Sequence, residues 1–276
     1  MSTTNTPSPN WGKLIGVSLG PGDPGLITRA AWAQLQRRDT VWTYPVRSGK
    51  TPSYALDIAL RAELQPVDGH MALLFPMTHD GEKLARAWLR ATEQVLPLLQ
   101  QGRDVLFLVE GDASTYATFG HLARTVQTHA PAVQVQTIAG VNSFTAACAQ
   151  RNVPLAEQDD TVAIVPAAYG IGAVDRLLPD FDTLVLMKIK PLLEDLLDWL
   201  ERRQLLEHAT LIERVGAPDE RSLHGAELLS LRGGKVSYLS LLLLKNPERV
   251  RGERIQGCLK KKDTVTPVTS NPSDDE

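Results

Sequence analysis

The sequence is poor in cysteine, in long apolar runs and in basic clusters. Its 276 residues include only two cysteines, Cys148 and Cys258, too few for a disulfide framework or a cysteine-rich zinc site. The longest apolar run, residues 238–244, is far shorter than the roughly 20 residues of a membrane-spanning helix. The formal net charge is −3 and no basic run exceeds residues 260–262, so the broad positive surface that nucleic acid needs is missing. We therefore expect neither a membrane nor a nucleic acid partner.

Signals for export and for metal binding are also missing. Residues 1–10 contain neither the basic segment nor the apolar segment of a secretion signal. The six histidines lack the close spacing that metal ligands show, so no metal site is predicted. The hydrophobic content of 43% is enough for one large core or two modest ones. We expect a globular cytoplasmic protein.

Short apolar runs rich in β-branched residues alternate with amphipathic stretches, a pattern typical of strand–helix–strand units with a parallel sheet. The clearest helix is predicted over residues 80–101, where apolar residues recur at steps of three and four. Another helix is predicted over residues 143–150. The first group of predicted strands is Leu14–Leu19, Thr40–Tyr44, Met71–Phe75, Val105–Val109 and Val133–Ile138.

Beyond Asn152 the pattern changes, and we predict a second α/β domain with a mixed sheet. The domains are expected to cover residues 11–152 and 153–259, with the active-site cleft between them and disordered tails at 1–10 and 260–276. A hairpin between Gly225 and Leu244, turning at Gly233-Gly234, would make this sheet mixed. Its strands are predicted at Val162–Val165, Leu184–Met187, Thr210–Glu213 and Val236–Leu244.

The loop GPGDPG at residues 20–25 fits the GxGxxG pattern of dinucleotide-binding proteins. That fold holds a pyrophosphate with backbone N–H groups, and Pro21 and Pro24 have none. The second strand also lacks the acidic residue that would bind the ribose. The loop is therefore either a tight turn that starts a helix or the border of a different ligand's site.

Five segments, in order, resemble the tetrapyrrole (class III) methyltransferases, and in particular their precorrin-2 C20 branch. Further matches at residues 163–170, 186–188 and 238–242 favour this branch. The sequence departs from the family at Ala113 and Ala139, which are usually proline, and at Asn142, which is usually serine or threonine. The five segments are GVSLGPGDP (16–24), FPM with Asp80 (75–80), EGD with Tyr116 and Phe119-Gly120 (110–120), GVNSF (140–144) and ERVGAPDER (213–221).

The resemblance implies a two-domain fold, S-adenosylmethionine as methyl donor with S-adenosylhomocysteine as product, a tetrapyrrole substrate and a homodimer. Asp112 and Asn142 also fit a simpler role as helix caps, Asp112 before a helix at 114–124. Met187 and Val215 also fit a simpler role in the core. The cofactor-binding residues implied are Glu110, Gly111, Asp112, Thr115, Asn142, Ser143, Met187 and Val215.

Methyl transfer to a ring carbon ends with loss of a proton, so a base can help. Asp23, Asp112, Tyr116 and Glu213 are candidates by chemistry, and Asp23 and Tyr116 are our predicted catalytic residues. Precorrin-2 has eight carboxylates, which basic side chains would bind. The predicted substrate-binding residues are Gly20, Pro21, Gly22, Arg47 and Arg214, and the other basic candidates are Lys50, Lys188 and Arg221.

Three alternatives remain open at this point. The same fold can act on another precorrin carbon, on the cobalt-loaded substrate or on uroporphyrinogen. A nucleotide-dependent oxidoreductase fits the glycine pattern but not the two loop prolines. A tetrapyrrole-binding protein without activity is suggested only by Ala113 and Ala139.

Overall fold

Strands and helices alternate through residues 10–66 and 69–250, the part of the chain that the computed structural model describes. In the first half, each strand is followed by a helix, as the sequence pattern predicts. The elements are β1 (Leu14–Ser18), α1 (Arg29–Leu35), β2 (Thr40–Val46), α2 (Tyr54–Arg61), β3 (His70–Leu74), α3 (Gly81–Gln100), β4 (Asp104–Val109), α4 (Phe119–His129), β5 (Val135–Ile138) and α5 (Ser143–Gln150).

β1 to β5 form one sheet in the order β3-β2-β4-β1-β5, and all neighbouring strands are parallel. One apolar cluster packs α3 and α4 against this sheet, and another packs α1 and α2 against it. A parallel sheet covered on both faces has nearly continuous apolar strands. The predicted five-stranded parallel sheet is therefore confirmed.

The long helix α3 matches its prediction at both ends. The Asp80 carboxylate caps its start, because Oδ1 accepts hydrogen bonds from the N–H groups of Glu82 and Lys83, both at 3.1 Å. The buried face includes Ala87, Ala91 and Val95. The helix after β4 begins at Phe119 rather than at residue 114, so Asp112 is not its cap. Residues 113–118 form turns instead.

The second half of the chain forms a mixed sheet in the order β6-β7-β10-β8-β9. The pair β6/β7 is parallel, whereas β10 runs antiparallel to both β7 and β8. The mixed character of the second sheet is confirmed. Its elements are β6 (Val162–Pro166), α6 (Ile171–Asp175), β7 (Thr183–Met187), α7 (Leu193–Arg202), β8 (Ala209–Glu213), β9 (Arg221–His224) and β10 (Ser240–Lys245).

The hairpin predicted at Gly233-Gly234 is wrong. The hairpin of this sheet instead joins β8 to β9, with Glu213 opposite Arg221. Residues 225–231 form a 3-10 helix that buries Leu228 and Leu231 in the core beside α7. The last strand begins only at Ser240, because residues 232–239 form turns, bends and irregular backbone.

The two sheets meet through α5, whose side chains belong to the core of the second sheet. Phe144 and Ala147 pack with Val185, Ile212 and Leu241. We call β1–α5 the first lobe and β6–β10 the second lobe. The domain boundary at residues 152–153 stays a prediction, and the predicted tails at 1–9 and 260–276 lie outside the described residues. Between residues 10 and 250, the described helices include none that is long and apolar enough to cross a membrane.

Candidate active site

A cleft of about 790 Å³ lies between the two sheets. It contains the first residue after each of four strands: Arg47 follows β2, Glu110 follows β4, Lys188 follows β7 and Arg214 follows β8. Parallel strands bring their carboxyl ends to one edge, and α/β proteins bind ligands there. The cleft is therefore where this fold is expected to hold small molecules.

Every predicted cofactor-binding residue lines this cleft, and so do some residues predicted for substrate binding and catalysis. Gly20, Gly22 and Asp23 are not among the lining residues. What each residue binds or does stays a prediction. The predicted residues that line the cleft are Pro21, Arg47, Glu110, Gly111, Asp112, Thr115, Tyr116, Asn142, Ser143, Met187, Arg214 and Val215.

Gly20, Gly22 and Asp23 do not line the cleft, and each makes hydrogen bonds with the protein itself. Gly20 and Gly111 form a short antiparallel bridge through two backbone hydrogen bonds. The Gly22 carbonyl accepts a hydrogen bond of 2.7 Å from Arg61 Nη2. Asp23 is exposed, and its Oδ1 accepts from the Gly25 N–H at 2.8 Å. These positions favour structural roles over the predicted substrate-binding and catalytic roles.

The same contacts explain why the glycine loop is unsuited to a pyrophosphate. The Gly20 N–H donates to the Gly111 carbonyl, and the Gly25 N–H donates to the Asp23 carboxylate. Pro21 and Pro24 supply no donor. Most of the backbone donors that a dinucleotide would need are therefore absent or already bonded.

The Asp112 carboxylate ties the loop after β4 to the loop after β5. Its Oδ2 accepts from the Gly140 N–H at 2.7 Å, and its Oδ1 accepts from the Ser114 N–H at 2.8 Å and from the Ser114 hydroxyl. Burial disfavours the charged form, but these hydrogen bonds outweigh burial and hold the pKa of Asp112 below its ordinary value. Asp112 is thus an ionised residue that fixes the cleft wall.

Ser18, at the end of β1, completes this connection. Its hydroxyl donates to the Ile138 carbonyl at 2.6 Å and accepts from the Ala113 N–H at 2.8 Å. A proline at position 113 would lack that N–H. Ala113 therefore allows the loop after β4 to form a hydrogen bond with β1, which a proline at this position could not form. The sequence pattern did not single out Ser18, because its neighbours mark it only as part of a buried strand.

Two glycines let the backbone come close at this wall. A Cβ atom on Gly140 would lie 2.3 Å from the Ser18 Cβ and 2.7 Å from the Gly111 carbonyl oxygen. Gly111 has a φ of 76°, and a Cβ there would meet nothing within 4 Å. The Gly111 backbone thus faces open space in the cleft, where a ligand can approach it closely.

The opposite part of the wall is apolar. Met187, Val215 and Leu241 line the cleft and belong to one cluster with α5. Asn142 and Ser143 start α5, and the Asn142 side chain makes no capping hydrogen bond there. An apolar slot beside an exposed backbone and polar side chains suits the adenine and the amino-acid end of S-adenosylmethionine.

Glu110 presents an ionisable side chain to the cleft. Within residues 10–66 and 69–250, no hydrogen bond from another residue is found at its carboxyl group. Burial raises the pKa of Glu110, and the nearby positive charge of Arg47 only partly offsets the effect. Our sequence interpretation gave Glu110 a cofactor-binding role and did not consider its carboxyl group as a base.

The remaining sequence candidates lie elsewhere or are already bonded. Glu213 is buried, and its carboxylate accepts from the Ser237 N–H and lies 3.5 Å from Arg221 Nε. Lys50 and Arg221 are exposed residues that do not line the cleft. The Tyr116 hydroxyl does line it, and donates to the Ile164 carbonyl of the second lobe at 3.1 Å.

The backbone is left-handed at three cleft residues that are not glycine. The φ angles are 52° at Tyr116, 57° at Lys188 and 54° at Arg214. Such residues are uncommon, and they concentrate at functional sites. The sequence did not point to Tyr54, Tyr238 or Lys190, which also line the cleft. Tyr238 lies within a segment that resembles the family, but nothing in the sequence showed that it faces a ligand.

The family model of the Tetrapyrrole (Corrin/Porphyrin) Methylases matches residues 13–227. The chain therefore belongs to the tetrapyrrole methylases, and it is an S-adenosylmethionine-dependent methyltransferase. This membership excludes the oxidoreductase alternative and confirms the resemblance drawn from the five segments.

Two curated relatives illustrate the branch. The chain is 30% identical over 240 residues to a probable cobalt-precorrin-2 C(20)-methyltransferase of Methanocaldococcus jannaschii, with 86% of this chain and 97% of the relative covered. It is 28% identical over 211 residues to a precorrin-2 C(20)-methyltransferase of Sinorhizobium sp, with 74% and 84% covered.

Solved structures support the fold. A cobalt precorrin-4 methyltransferase superposes with a TM-score of 0.64 at 20% identity, covering 84% of this chain and 94% of that protein. At this identity the match concerns the architecture alone. The predicted arrangement of a parallel sheet and a mixed sheet with a cleft between them is therefore confirmed.

Proposed function

We propose that this protein transfers the methyl group of S-adenosylmethionine to C20 of precorrin-2, giving precorrin-3A in cobalamin biosynthesis. The observation that carries the proposal is a single cleft with two different halves. One half has an exposed backbone and an apolar slot, and the other has Arg47, Lys188, Lys190 and Arg214. Relatives named for C20 methylation of precorrin-2, with or without cobalt, support the choice of substrate.

The cofactor half is built on the loops after β1, β4 and β5 of the first lobe, with Met187 and Val215 contributed by the second lobe. We propose that the amino-acid end lies against Gly111, where no side chain blocks its approach, and binds Thr115, with Asn142 and Ser143 beside it. The apolar side chains of Met187 and Val215 would contact the adenine. These loops are tied to each other by Ser18 and Asp112, so the site is formed before the ligand arrives. Such preorganisation lowers the cost of binding.

When bound, S-adenosylmethionine supplies a methyl group already activated by the sulfonium charge. The S–CH3 bond breaks as the C20–CH3 bond forms, and C20 then loses its proton. The protein contributes mainly position, an effect worth roughly 7–11 kcal/mol in well-oriented reactions. The cleft walls hold the two reactants in contact.

We propose the Glu110 carboxylate as the acceptor of the C20 proton. Of the four acceptors considered from the sequence, Asp23 and Glu213 do not line the cleft, and Asp112 and Tyr116 are committed to hydrogen bonds. Glu110 lines the cleft, and burial makes its carboxylate a stronger base than usual. After the proton moves, Glu110 is neutral and S-adenosylhomocysteine carries no sulfonium charge.

Incubation with precorrin-2 and S-adenosylmethionine labelled with 13C in the methyl group tests the proposal. Mass spectrometry and carbon NMR should find one labelled methyl group, at C20. A matched pair of variants controls the assay: Arg47→Gln should slow the reaction, and Arg86→Gln should not, because Arg86 pairs with Glu82 on α3, away from the cleft lining. Label at another carbon, or no label, would refute C20 methylation.

The second candidate is the same reaction on cobalt-precorrin-2. It is favoured by the name of the Methanocaldococcus jannaschii relative, which is at least as similar as the relative named for the metal-free substrate. Both substrates should be offered under identical conditions. The ratio of their kcat/KM values identifies the one that the protein uses.

We further propose that the protein is a cytoplasmic homodimer. Leu74, on the edge strand β3, and Leu60, on α2, are 49% and 40% exposed, and a second protomer would cover such apolar residues. Light scattering at several concentrations should give twice the mass of the 30.2 kDa chain. A mass of one chain throughout would reject the dimer.

A further inference from the structure

Every contact between a cation and an aromatic ring in residues 10–66 and 69–250 joins one lobe to the other. In each pair the ring comes from a tyrosine, and all members line the cleft. In the first pair the cation belongs to the first lobe, and in the other two it belongs to the second. The contacts are Arg47 Cζ at 4.3 Å from the Tyr238 ring centroid, Lys188 Nζ at 5.5 Å from that of Tyr116, and Arg214 Cζ at 5.0 Å from that of Tyr54.

Two of these cations contact a ring without an ion pair to a carboxylate. Arg47 and Lys188 make no ion pair within 4 Å in the described ranges, although the Arg47 charge acts on Glu110. Arg214 uses its Nε for Asp219, at 2.6 Å. A cation over the face of a ring is attracted by the ring's electrons. Its N–H groups are not consumed, and an arginine stacked on a ring keeps the donors at the edge of its plane.

The tyrosines also stiffen the cleft. The Tyr54 hydroxyl donates to the Pro21 carbonyl at 3.1 Å, and the Tyr116 hydroxyl donates to the Ile164 carbonyl at 3.1 Å. The left-handed backbone at Lys188 and Arg214 fixes where these two side chains leave their strands. Each cation therefore extends from one lobe and contacts a tyrosine ring of the other lobe.

The ligand that fits three such cations around one cleft is a molecule with several carboxylates spread along its rim. Resting on the proposed function, we infer that the three cation–tyrosine pairs are binding points for the acetate and propionate groups of the tetrapyrrole, and that Tyr54, Tyr116 and Tyr238 are positioning residues. The substrate then bridges the lobes, because each binding point takes its cation from one lobe and its ring from the other.

Tyr238 offers the cleanest test, because its hydroxyl makes no hydrogen bond to any residue that the structure describes, whereas those of Tyr54 and Tyr116 each donate one. Tyr238→Leu removes the ring, and Tyr238→Phe keeps it. We expect Tyr238→Leu to raise the KM for precorrin-2 roughly two- to thirtyfold, the range of a lost cation–ring contact. Tyr238→Phe should restore a KM close to that of the wild type. The kcat and the calorimetric affinity for S-adenosylhomocysteine should change little in either variant.

A second variant keeps the test valid if Tyr238→Leu fails to fold. Arg47→Gln leaves the ring in place and removes the charge, so it should raise the KM at least as much. Equilibrium binding of uroporphyrin III, a stable porphyrin with eight carboxylates, should weaken in parallel in both variants.

The outcomes separate this inference from the proposed function. A wild-type protein that methylates precorrin-2 at C20, with unchanged KM and porphyrin affinity in Tyr238→Leu and Arg47→Gln, overturns the inference alone. A wild-type protein that methylates no precorrin, but whose porphyrin affinity falls in both variants, overturns the proposed function alone. Weaker binding of S-adenosylhomocysteine in Tyr238→Leu would assign the tyrosine to the cofactor half and overturn the inference.

Discussion

The two lobes build their sides of the cleft in different ways. In the first lobe, the loops after β1, β4 and β5 are tied side by side through the Ser18 hydroxyl and the Asp112 carboxylate. In the second lobe, Lys188 and Arg214 follow single strands on left-handed backbone. A fixed wall suits a cofactor of constant shape, and long cationic side chains suit a substrate with many carboxylates. The difference indicates a division of labour between the fixed wall and the long cations, although Met187 and Val215 of the second lobe border the cofactor half and Arg47 of the first lobe belongs to the substrate half.

Replacing Glu110 should have the largest effect on the reaction. Loss of a general base costs roughly 100-fold or more in rate, so Glu110→Gln should lower kcat by about this factor, with little change in the affinity for S-adenosylhomocysteine. Steady-state kinetics and calorimetry measure the two quantities. A kcat within threefold of the wild type would remove Glu110 from the proposed mechanism.

The same variant makes a prediction about stability with a definite sign. The folded protein has a raised Glu110 pKa, so the wild type loses stability as the pH rises above the value of an unfolded glutamate. Glu110→Gln has no such loss. Its melting temperature should exceed that of the wild type at pH 8, by about 2–4 °C for each kcal/mol relieved, and the difference should vanish near pH 4. A destabilised variant at pH 8 would contradict the burial argument.

Adding a methyl group to the fixed wall should destabilise the first lobe's side of the cleft. Gly140→Ala places a methyl group against Ser18 and Gly111, and such overpacking typically costs about 1–3 kcal/mol. Thermal unfolding should show the loss, and the affinity for S-adenosylhomocysteine should fall with it. Gly172→Ala is the matched control, because its added methyl would have only Arg176 nearby, at 3.9 Å. Equal melting temperatures for the two variants would disprove the close approach.

Removing the charge of Asp112 should loosen the same wall less severely. Asp112→Asn keeps the shape but weakens the hydrogen bonds to Gly140 and Ser114, at a cost of about 1–2 kcal/mol at neutral pH. Because the folded pKa lies below that of an unfolded aspartate, this stability is present above the unfolded value and lost as the pH falls. Unfolding curves of the two proteins should therefore converge in acid. A gap that widens as the pH falls would show that Asp112 is not held ionised.

A change in the second lobe should leave the fixed wall intact. Lys188→Gln removes the charge of a half-buried residue that makes no ion pair within 4 Å in the described ranges, so its free energy of unfolding should stay within about 0.5 kcal/mol of the wild type. Its affinity for S-adenosylhomocysteine should also be unchanged, whereas its affinity for uroporphyrin III should fall. Weaker binding of S-adenosylhomocysteine by Lys188→Gln would contradict the assignment of Lys188 to the substrate half of the cleft.

How much the sequence predicts also differs between the lobes. The first sheet and α3 are predicted well, because a parallel sheet covered on both faces gives unbroken apolar strands and a surface helix gives a regular period. Strand β9 was missed, because its four residues are polar or only partly buried. The apolar residues 225–231 suggested a hairpin arm, but Leu228 and Leu231 pack as a 3-10 helix. The local sequence pattern does not distinguish a strand from a 3-10 helix in this segment.

The candidate site also has one part that the sequence predicts and one part that it does not. Short motifs predict the residues of the cofactor half, because each motif follows a strand and the strands end at one edge. The pairs of Arg47 with Tyr238 and Arg214 with Tyr54 join residues far apart in the sequence, so only the packed lobes reveal them. Asp23 was predicted to be catalytic because it lies in a motif, and that role stays a prediction; the structure shows only that its carboxylate caps a turn.

The most direct measurement of the division between the cofactor half and the cationic half of the cleft is a crystal structure with S-adenosylhomocysteine bound. The account predicts the amino-acid end against the Gly111 backbone and the adenine between Met187 and Val215, with Arg47, Lys188 and Arg214 left free for a tetrapyrrole. S-adenosylhomocysteine bound against those three cations, or over the loop at residues 20–25, would contradict it.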